Sequence, residues 1–320
     1  MTRRVVLACT GGLQTSMAIR KLAGADDAEV VTLTLDLGQE GDLQEVRGRA
    51  LATGAVRAHV LDAREEFARD FVLPALRAGT LRDGNGPMGE LLAWPLIARK
   101  LVEIAAVERA AAVAHGCRGP DRERLGTCVA ALVPALDVLV AGSREAARRL
   151  HANLLGRAHA ARAPNTEEPD GPAYVEIGFD EGVPSAINGV PMPLVELIEC
   201  VSVIAGRHGV GWIDAGGPDR SAYGDRAYEA PAAAVLHAAR VALEASVLPP
   251  DLLQRKQSRA AAYAQVVSDG RWFGEEREAM DALNVQMEDS VTGSVRIKLL
   301  KGTLRTAENA GGTHVEAGRV

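Results

Sequence analysis

The sequence has 320 residues, of which 47% are hydrophobic and 24% charged; this excludes a wholly disordered chain and allows one large or two medium domains. The formal net charge of -6 argues against broad nucleic-acid binding, which requires a basic face. No apolar stretch reaches the roughly 20 residues of a membrane-spanning helix, and the four cysteines show neither CxxC pairing nor zinc spacing. We therefore expect a cytoplasmic protein that binds neither nucleic acid nor membrane.

The N-terminal half alternates short β-branched runs with helical patterns, which is typical of βαβ units around a parallel sheet. The predicted strands are residues 4–9, 28–35, 56–61, 111–115 and 138–141. This order predicts an α/β fold with a doubly wound parallel sheet. Ligands of such sheets bind at the carboxyl ends of the strands, so we expect chemistry in the loops after Cys9, Leu35 and His115.

Residues 158–172 lack periodicity and are rich in Pro, Ala and acidic residues, which is typical of a linker. We therefore predict a first domain at 1–157 and an α+β second domain at 158–320 that ends in a C-terminal arm. Within the second domain, residues 174–179 and 186–190 are predicted strands, and 193–208, 231–246 and 250–268 are predicted helices. Residues 291–304 are a predicted hairpin whose turn is Lys301-Gly302, and the last ten or so residues are expected to be loose.

The loop after the first strand reads Thr10-Gly11-Gly12-Leu13-Gln14-Thr15-Ser16 and leads into a helix. Glycines at such a junction let backbone N–H groups turn inward, and the helix N-terminus adds partial positive charge. A phosphate group is the natural ligand of this arrangement. Two glycines alone also fit an ordinary βα turn, so the residues by themselves leave both interpretations open.

The same loop resembles the pyrophosphate-binding loop SGGxDTS of ATP pyrophosphatases, and its surroundings resemble argininosuccinate synthase. The segment TLDLGQ at 34–39 is similar to TADxGQ of that family, and residues 64–78 are similar to REEFxRDFxxPALRA. Further similar blocks follow in the same order at 95–105, 114–116, 175–188, 204–214, 228–231 and 291–298. The resemblance therefore covers nearly the whole chain.

The resemblance implies an ATP pyrophosphatase (HUP-like) nucleotide-binding domain, followed by an α+β synthetase and oligomerisation domain, in a homotetramer. Members of this family join citrulline to aspartate with ATP and Mg2+, releasing AMP and pyrophosphate. No catalytic residue is assigned by the resemblance. It implies these ATP-binding positions: Ala8, Thr10, Gly11, Gly12, Gln14, Thr15, Ser16, Leu35, His115 and Gly116.

Two departures fall within that ATP site. Gln14 stands where the family has Asp, and an amide is a poor ligand for a hard cation such as Mg2+. The resemblance implies Mg2+ together with ATP, but Gln14 puts the metal in doubt. Leu35 replaces the Ala that faces adenine, which predicts a narrower nucleoside pocket.

More departures fall on the positions that hold citrulline and aspartate in the family. Gly86, Glu90 and Trp94 replace a Tyr, a Ser or Thr, and an Arg. The other replacements are Arg118 for Thr, Arg122 for Asn, Glu123 for Asp, Gly126 for Arg, Ala158 for Ser and Pro218 for Glu. A citrulline carboxylate would meet an acid and an indole, which is the wrong electrostatics. The candidate substrate-binding residues are Glu90, Trp94, Arg118, Arg122, Glu123 and the retained Tyr228.

The arginines at 118, 122 and 124 allow two interpretations. Guanidinium groups bind carboxylate or phosphate through paired hydrogen bonds, so the cluster can form an anion site that faces the first loop. Alternatively, it is a solvated loop face whose charge Asp121 and Glu123 neutralise. The residues do not decide between the two.

Three functions remain open from the sequence. The first is an ATP-dependent C–N ligase that acts on a small molecule other than citrulline, with an anionic amine donor. The second is a non-catalytic paralogue of the family, with a scaffold or regulatory role. The third is ordinary argininosuccinate synthesis, which we place last because several substrate contacts would have to be replaced at once.

Overall fold

A computed structural model of the chain describes residues 3–25, 28–81, 88–117, 119–141, 152–159, 169–213 and 227–307. The chain folds into two compact units, each built from separate stretches of sequence. The first comprises Met1–Phe67, Glu90–His151 and Val266–Glu275, and the second Ala68–Gly89, Ala152–Gln265 and Glu276–Val320. In the described ranges, no helix combines the length and apolar composition that a bilayer span requires.

The first unit contains the predicted parallel sheet. Its strands are β1 (Arg4–Ala8), β2 (Glu29–Asp36), β3 (Arg57–Asp62), β4 (Ala112–His115) and β5 (Asp137–Val140), in the order β3-β2-β1-β4-β5. Each neighbouring pair in that order is parallel. The prediction of a doubly wound α/β domain is therefore confirmed.

Helices alternate with these strands along the chain. They are α1 (Leu13–Ala25), α2 (Leu43–Thr53), α3 (Arg64–Phe67), a π-helical segment (Ala68–Val72), α4 (Leu73–Arg77), α5 (Met88–Glu108) and α6 (Pro120–Leu132). The ends of α2 show why the sequence folds this way. The Asp42 carboxylate accepts hydrogen bonds from the backbone N–H groups of Gln44 and Glu45, and Gly54 ends the helix in a left-handed conformation at φ 117°.

The core of the first unit forms where apolar side chains of α1 pack against those of β1 and β2. Val5 and Leu7 of β1 and Ile19 of α1 are at most 1% exposed, and they pack in one cluster with Leu22 and Val30. Burying each such side chain contributes about 1.5–3 kcal/mol. This cluster holds β1 and the start of α1 in fixed positions, and the loop between them is fixed as a result.

The second unit contains two sheets. Strands β8 (Ala173–Asp180), β9 (Val183–Ile187), β10 (Val190–Pro191), β13 (Gly293–Leu300) and β14 (Thr303–Thr306) form an antiparallel sheet in the order β10-β9-β8-β13-β14. Strands β6 (Ala152–Asn153), β7 (Gly156–His159), β11 (Trp212–Ile213) and β12 (Ala227–Glu229) form the other, in the order β11-β12-β7-β6. Residues 158 and 159, assigned to a linker by composition, instead end β7, because they pair with β12.

The helices of the second half are α7 (Leu194–Arg207), α8 (Pro231–Val247), α9 (Pro250–Ser268) and α10 (Glu275–Val285). A buried ion network ties the tip of the β8–β9 hairpin to α8. The Arg240 guanidinium, 1% exposed, donates to Gly182 O at 2.6 Å and to the Glu288 carboxylate at 2.7 Å. Glu244 also accepts hydrogen bonds from Arg240 and Lys256. A Cβ atom at Gly182 would collide with Glu288, so only glycine fits this turn.

Candidate active site

The candidate site lies at the carboxyl edge of the sheet in the first unit. β1 lies between β2 and β4, and the direction of winding reverses between β1 and β4, which is where such sheets form their ligand crevice. Leu7 is in register with Ala114, so Ala8 is level with His115 one residue later. The loops that follow β1 and β4 therefore begin side by side.

Gly11 allows the loop after β1 to lie directly on α2. Its φ is 74°, and a Cβ atom there would come within 2.5 Å of Cγ2 of Val46. Both the left-handed backbone and the close approach exclude a side chain. The loop is also tied to β2, because the backbone N–H of Cys9 donates to Leu33 O at 2.8 Å.

Gly12 forms the open part of this loop. Its carbonyl accepts hydrogen bonds from the Thr15 N–H at 3.0 Å and the Ser16 N–H at 3.3 Å, which starts α1. A Cβ atom at Gly12 would find only Oγ1 of Thr10, at 3.9 Å, so space is open above the glycine. The N–H groups of Thr10 and Gly12 donate no hydrogen bond to another described residue. Open N–H groups at the start of a 13-residue helix suit an anion.

The buried thiol of Cys9 contacts residues of the loop after β1. Burial raises the pKa of its thiol, and hydrogen bonds with the Gly11 N–H and with the hydroxyls of Thr15 and Thr34 only partly oppose that rise. The thiol is therefore protonated at neutral pH. Cys9 is therefore a small packing residue, and all four cysteines are free.

The loop after β2 is shaped by an amide side chain. Gln39 donates through Nε2 to Leu35 O at 2.6 Å and accepts through Oε1 from the Leu37 N–H at 2.7 Å. Leu35 is 9% exposed at the end of β2. The role of Gln39 as the brace of this turn was not predicted, although an amide three residues after a strand is a possible signal.

His115 is buried and neutral. Its ring is 1% exposed, and Nδ1 accepts the N–H of Cys117 at 3.0 Å, so the ring proton resides on Nε2. Burial and the positive charge of Arg122 lower its pKa to about 4. Nε2 is buried without a hydrogen-bond partner in the described structure. A Cβ atom at the next residue, Gly116, would meet nothing within 4 Å, so the backbone there is open.

The arginines of α6 do not act as one cluster. Arg124 donates to the Asp121 carboxylate at 2.6 Å and to the backbone of Ser268, so it ties α6 to the end of α9. Arg122 is exposed, and among the described residues its guanidinium has no hydrogen-bond acceptor. Glu123 is also exposed on α6. Arg122 and Arg124 therefore differ in their partners, because residues two apart on a helix point in different directions. Arg118 lies outside the described residues, and an anion site at these positions stays a prediction.

The carboxylates near this edge already have partners. Asp36 accepts the Gly38 N–H at 2.9 Å, and Asp62 forms an ion pair with Arg64 at 2.8 Å that lowers the pKa of the Asp62 carboxyl. Asp121 is paired with Arg124. Across the described ranges, no group of three or more His, Cys, Asp or Glu side chains is placed to hold a metal ion. The described residues therefore supply no all-protein cage of three or more such ligands for a metal ion.

Two predicted substrate residues of the first unit are buried. Glu90 and Trp94 lie four residues apart on α5, and so share one face of the helix, with exposures of 4% and 6%. At Gly126 of α6, a Cβ atom would meet nothing within 4 Å, so this position presents no side chain where the family has an arginine.

In the second unit, Tyr228 and Ala158 face each other across β12 and β7. Their side chains are on one face of the sheet, where Ala158 supplies a methyl group in place of the family's hydroxyl. Tyr228 is 4% exposed, and its Oη would be 3.2 Å from a Cβ atom at Gly89. Asn153 donates to Gly89 O at 2.8 Å. Gly89 and Asn153 were missed, although a glycine inside a helical pattern is a signal of close packing.

Several predicted positions lie outside the described residues. They are Gly86, Arg118, Pro218 and the side chain of Gln14. For the remaining ATP-binding and substrate-binding positions, the structure gives the locations reported above. Their assignments to ATP and substrate stay predictions.

Comparison with known proteins identifies the family. The description "Arginosuccinate synthase N-terminal HUP domain" matches residues 4–156, and "Arginosuccinate synthase C-terminal domain" matches residues 155–312. The argininosuccinate synthase of Oleidesulfovibrio alaskensis is 38% identical, with 94% of this chain and 87% of the relative covered. That of Symbiobacterium thermophilum is 40% identical, with 94% and 86% covered. The chain therefore belongs to the argininosuccinate synthase family.

Proposed function

We propose that this protein is an ATP-dependent C–N ligase that adenylates a substrate other than citrulline. The observation that carries the proposal is a contrast within one chain. The loop at 10–16 keeps an open, glycine-lined backbone at the switch point of the sheet, whereas the family's citrulline positions at 90, 94, 126 and 158 carry different chemistry.

The nucleotide side of the proposal rests on the first loop. The N–H groups of Thr10 and Gly12, which donate to no other described residue, together with the start of α1 and the open space above Gly12 suit the phosphates of ATP. No acidic residue lies in the first turn of α1 to repel them. The neighbouring Gly116 leaves its backbone accessible on the β4 side.

The proposed reaction has two steps. An oxygen of the substrate attacks the α-phosphorus of ATP, the bond to the β-phosphate breaks, and pyrophosphate leaves. The nitrogen of an amine donor then attacks the activated carbon, the C–O bond breaks with its electron pair, and AMP leaves while the nitrogen loses a proton. The residues of this chain hold the phosphates and orient both substrates; none is assigned as a proton carrier.

The exclusion of citrulline rests on the charge and hydrogen-bonding capacity of the residues at the family's citrulline positions. A citrulline carboxylate would need cationic or hydroxyl partners, but Glu90, Trp94, Gly126 and Ala158 provide an acid, an indole, no side chain and a methyl group. Each charge-assisted hydrogen bond lost costs about 1.5–3 kcal/mol, so the losses together disfavour citrulline strongly. Arg122 stands where the family has a neutral Asn, which favours an anion at this position: a phosphate, or a carboxylate of the amine donor. The homotetramer implied by the resemblance stays a prediction.

The test is pyrophosphate release from ATP across a panel of ureido, amide and carboxylate compounds, each with and without amine donors. We expect release with at least one compound and none with citrulline. Gly12→Val should abolish release and ATP binding, because its side chain enters the open space of the loop. Gly24→Val is the matched control: Gly24 lies in α1, the helix that follows the loop, and a Cβ atom there meets nothing within 4 Å.

ATP affinity that is unchanged in Gly12→Val would refute the loop assignment. ATP binding to the wild type without pyrophosphate release from any compound would instead favour the non-catalytic paralogue.

A further inference from the structure

We infer that Arg122 supplies the positive charge for the nucleotide phosphates at this edge, so that nucleotide binding does not require a divalent cation. This inference rests on the proposed function, because it assumes that ATP binds on the first loop. It concerns the requirement for a metal, where this chain departs from what its family implies.

The residues near the loop are unsuited to magnesium. Gln14 replaces the family's Asp, and amide oxygens are weaker ligands than carboxylates for hard cations. The carboxylates of Asp36, Asp62 and Asp121 are engaged by a backbone N–H, by Arg64 and by Arg124 respectively.

Arg122 supplies positive charge at the edge of the sheet where the first loop lies. It is the third residue of α6, is exposed, and has no hydrogen-bond acceptor among the described residues. Its charge is close enough to act on His115, which is level with Ala8 at the base of the first loop. α6 begins five residues after β4, the neighbour of β1, so the helix turn that carries Arg122 lies at the same edge of the sheet as the first loop. Among the described residues the donors of Arg122 are uncommitted, unlike those of Arg124, which is held by Asp121 and Ser268.

His115 supplies an independent observation that points to a ligand. Its Nε2–H is a buried donor without an acceptor in the described structure, and leaving such a donor unsatisfied is costly. An oxygen-rich ligand at this edge would provide the acceptor. Because the ring is neutral, it adds a hydrogen bond without a further charge.

A guanidinium can replace part of what a metal ion does for phosphate. It is always charged, its planar fork matches two phosphate oxygens, and it is more weakly hydrated than an ammonium group. Positive charge held in advance near a leaving pyrophosphate also favours its departure. The phosphates are therefore the expected partner of Arg122, in preference to a carboxylate of the amine donor.

The test is calorimetric titration of the full chain with ATP and with inorganic pyrophosphate, in EDTA and in magnesium chloride. We expect wild-type affinities that differ by less than about threefold between the two buffers. Arg122→Ala should lose about tenfold to 100-fold in EDTA, as removal of a charged hydrogen bond predicts. Arg122→Lys should lose less, because it keeps the charge. Arg255→Ala, which removes an exposed arginine of the second unit, is the control and should bind as the wild type does.

The outcomes separate the two proposals. Wild-type binding that appears only with magnesium, or equal affinities of wild type and Arg122→Ala in EDTA, would overturn the role of Arg122 and leave ATP binding intact. A variant that loses affinity for aspartate or succinate but not for ATP would assign Arg122 to the amine donor and also overturn it. Absence of ATP binding in both buffers would overturn the proposed function itself.

Discussion

Replacing His115 with Asn should reduce the fall in the free energy of unfolding that the protein shows at acid pH. The buried ring accepts the Cys117 N–H through Nδ1, and burial together with Arg122 lowers its pKa to about 4. The Oδ1 atom of Asn can take the position of Nδ1 and accept the same hydrogen bond, but Asn does not titrate. The pair of proteins therefore isolates the cost of protonating this imidazole.

The sign follows from proton binding. In the unfolded chain the ring titrates near 6.5, so between pH 6.5 and about 4 the unfolded state binds a proton that the folded state does not. The free energy of unfolding must therefore fall as the pH falls through this window. One pKa unit corresponds to about 1.4 kcal/mol, so the loss at His115 between pH 7 and pH 4.5 is roughly 2–2.5 kcal/mol.

Urea denaturation followed by circular dichroism at pH 7 and pH 4.5 measures this loss. The wild type should lose roughly 2–2.5 kcal/mol more than His115→Asn between the two pH values. The cavity left by the smaller side chain does not depend on pH, so it cancels when each protein is compared with itself. Equal losses in the two proteins would show that His115 is not a buried neutral imidazole.

Three further substitutions test the packing by urea denaturation. Glu108→Gln should cost about 1–3 kcal/mol at pH 7. Burial raises the pKa of Glu108, but hydrogen bonds from His59 and Arg57 outweigh it, so the pKa in the folded protein lies below the ordinary value of 4.5. The advantage of the wild type should therefore be lost as the pH falls below 4.5 and through that lowered pKa. Arg240→Met removes a guanidinium shared by buried Glu288 and Glu244, which leaves them, among the described residues, only Arg77 and Lys256 respectively, and should cost about 3–5 kcal/mol; a loss below about 1 would contradict this. Arg109→Gly should gain up to about 1 kcal/mol, because Arg109 has a left-handed φ of 51°; no gain would show that the backbone is unstrained.

The regular elements could be predicted because their signals are local. The alternating runs at 4–9 and 28–35 correspond to β1 and β2 with ends that differ by one residue. The turn at Lys301-Gly302 was predicted from its two residues, and both have positive φ, at 43° and 75°. Hydrophobic periodicity and turn-forming residues involve only neighbouring positions, so they can be recognised in a single sequence.

The small sheet of the second unit could not be predicted in the same way. Its strands have two to four residues, and Ala227 pairs with His159, far away in the sequence. Strands this short have too few residues to show a period of two. The buried charge of Arg240 was missed for a related reason, since its acceptors come from the hairpin at Gly182 and from Glu288.

At the candidate site, the phosphate loop and the ATP-binding role of His115 stay predictions, and the sequence left the arrangement of the arginines open. Gly119-Pro120 followed by Asp121 is a helix-start signal, and α6 begins at Pro120. Had that helix been recognised, its period of 3.6 residues would have separated Arg122 from Arg124. The hydrogen bond from Arg124 to the Ser268 carbonyl could not be predicted from the sequence, because it depends on tertiary packing.

Formation of argininosuccinate from citrulline, aspartate and ATP tests the change of substrate most directly. The product would be measured by mass spectrometry, beside the argininosuccinate synthase of Symbiobacterium thermophilum as reference. Since several contacts of about 1.5–3 kcal/mol each are replaced at positions 90, 94, 126 and 158, the rate should be below about 1% of the reference. A rate comparable with the reference would contradict the proposal and identify an ordinary argininosuccinate synthase with a rebuilt citrulline site.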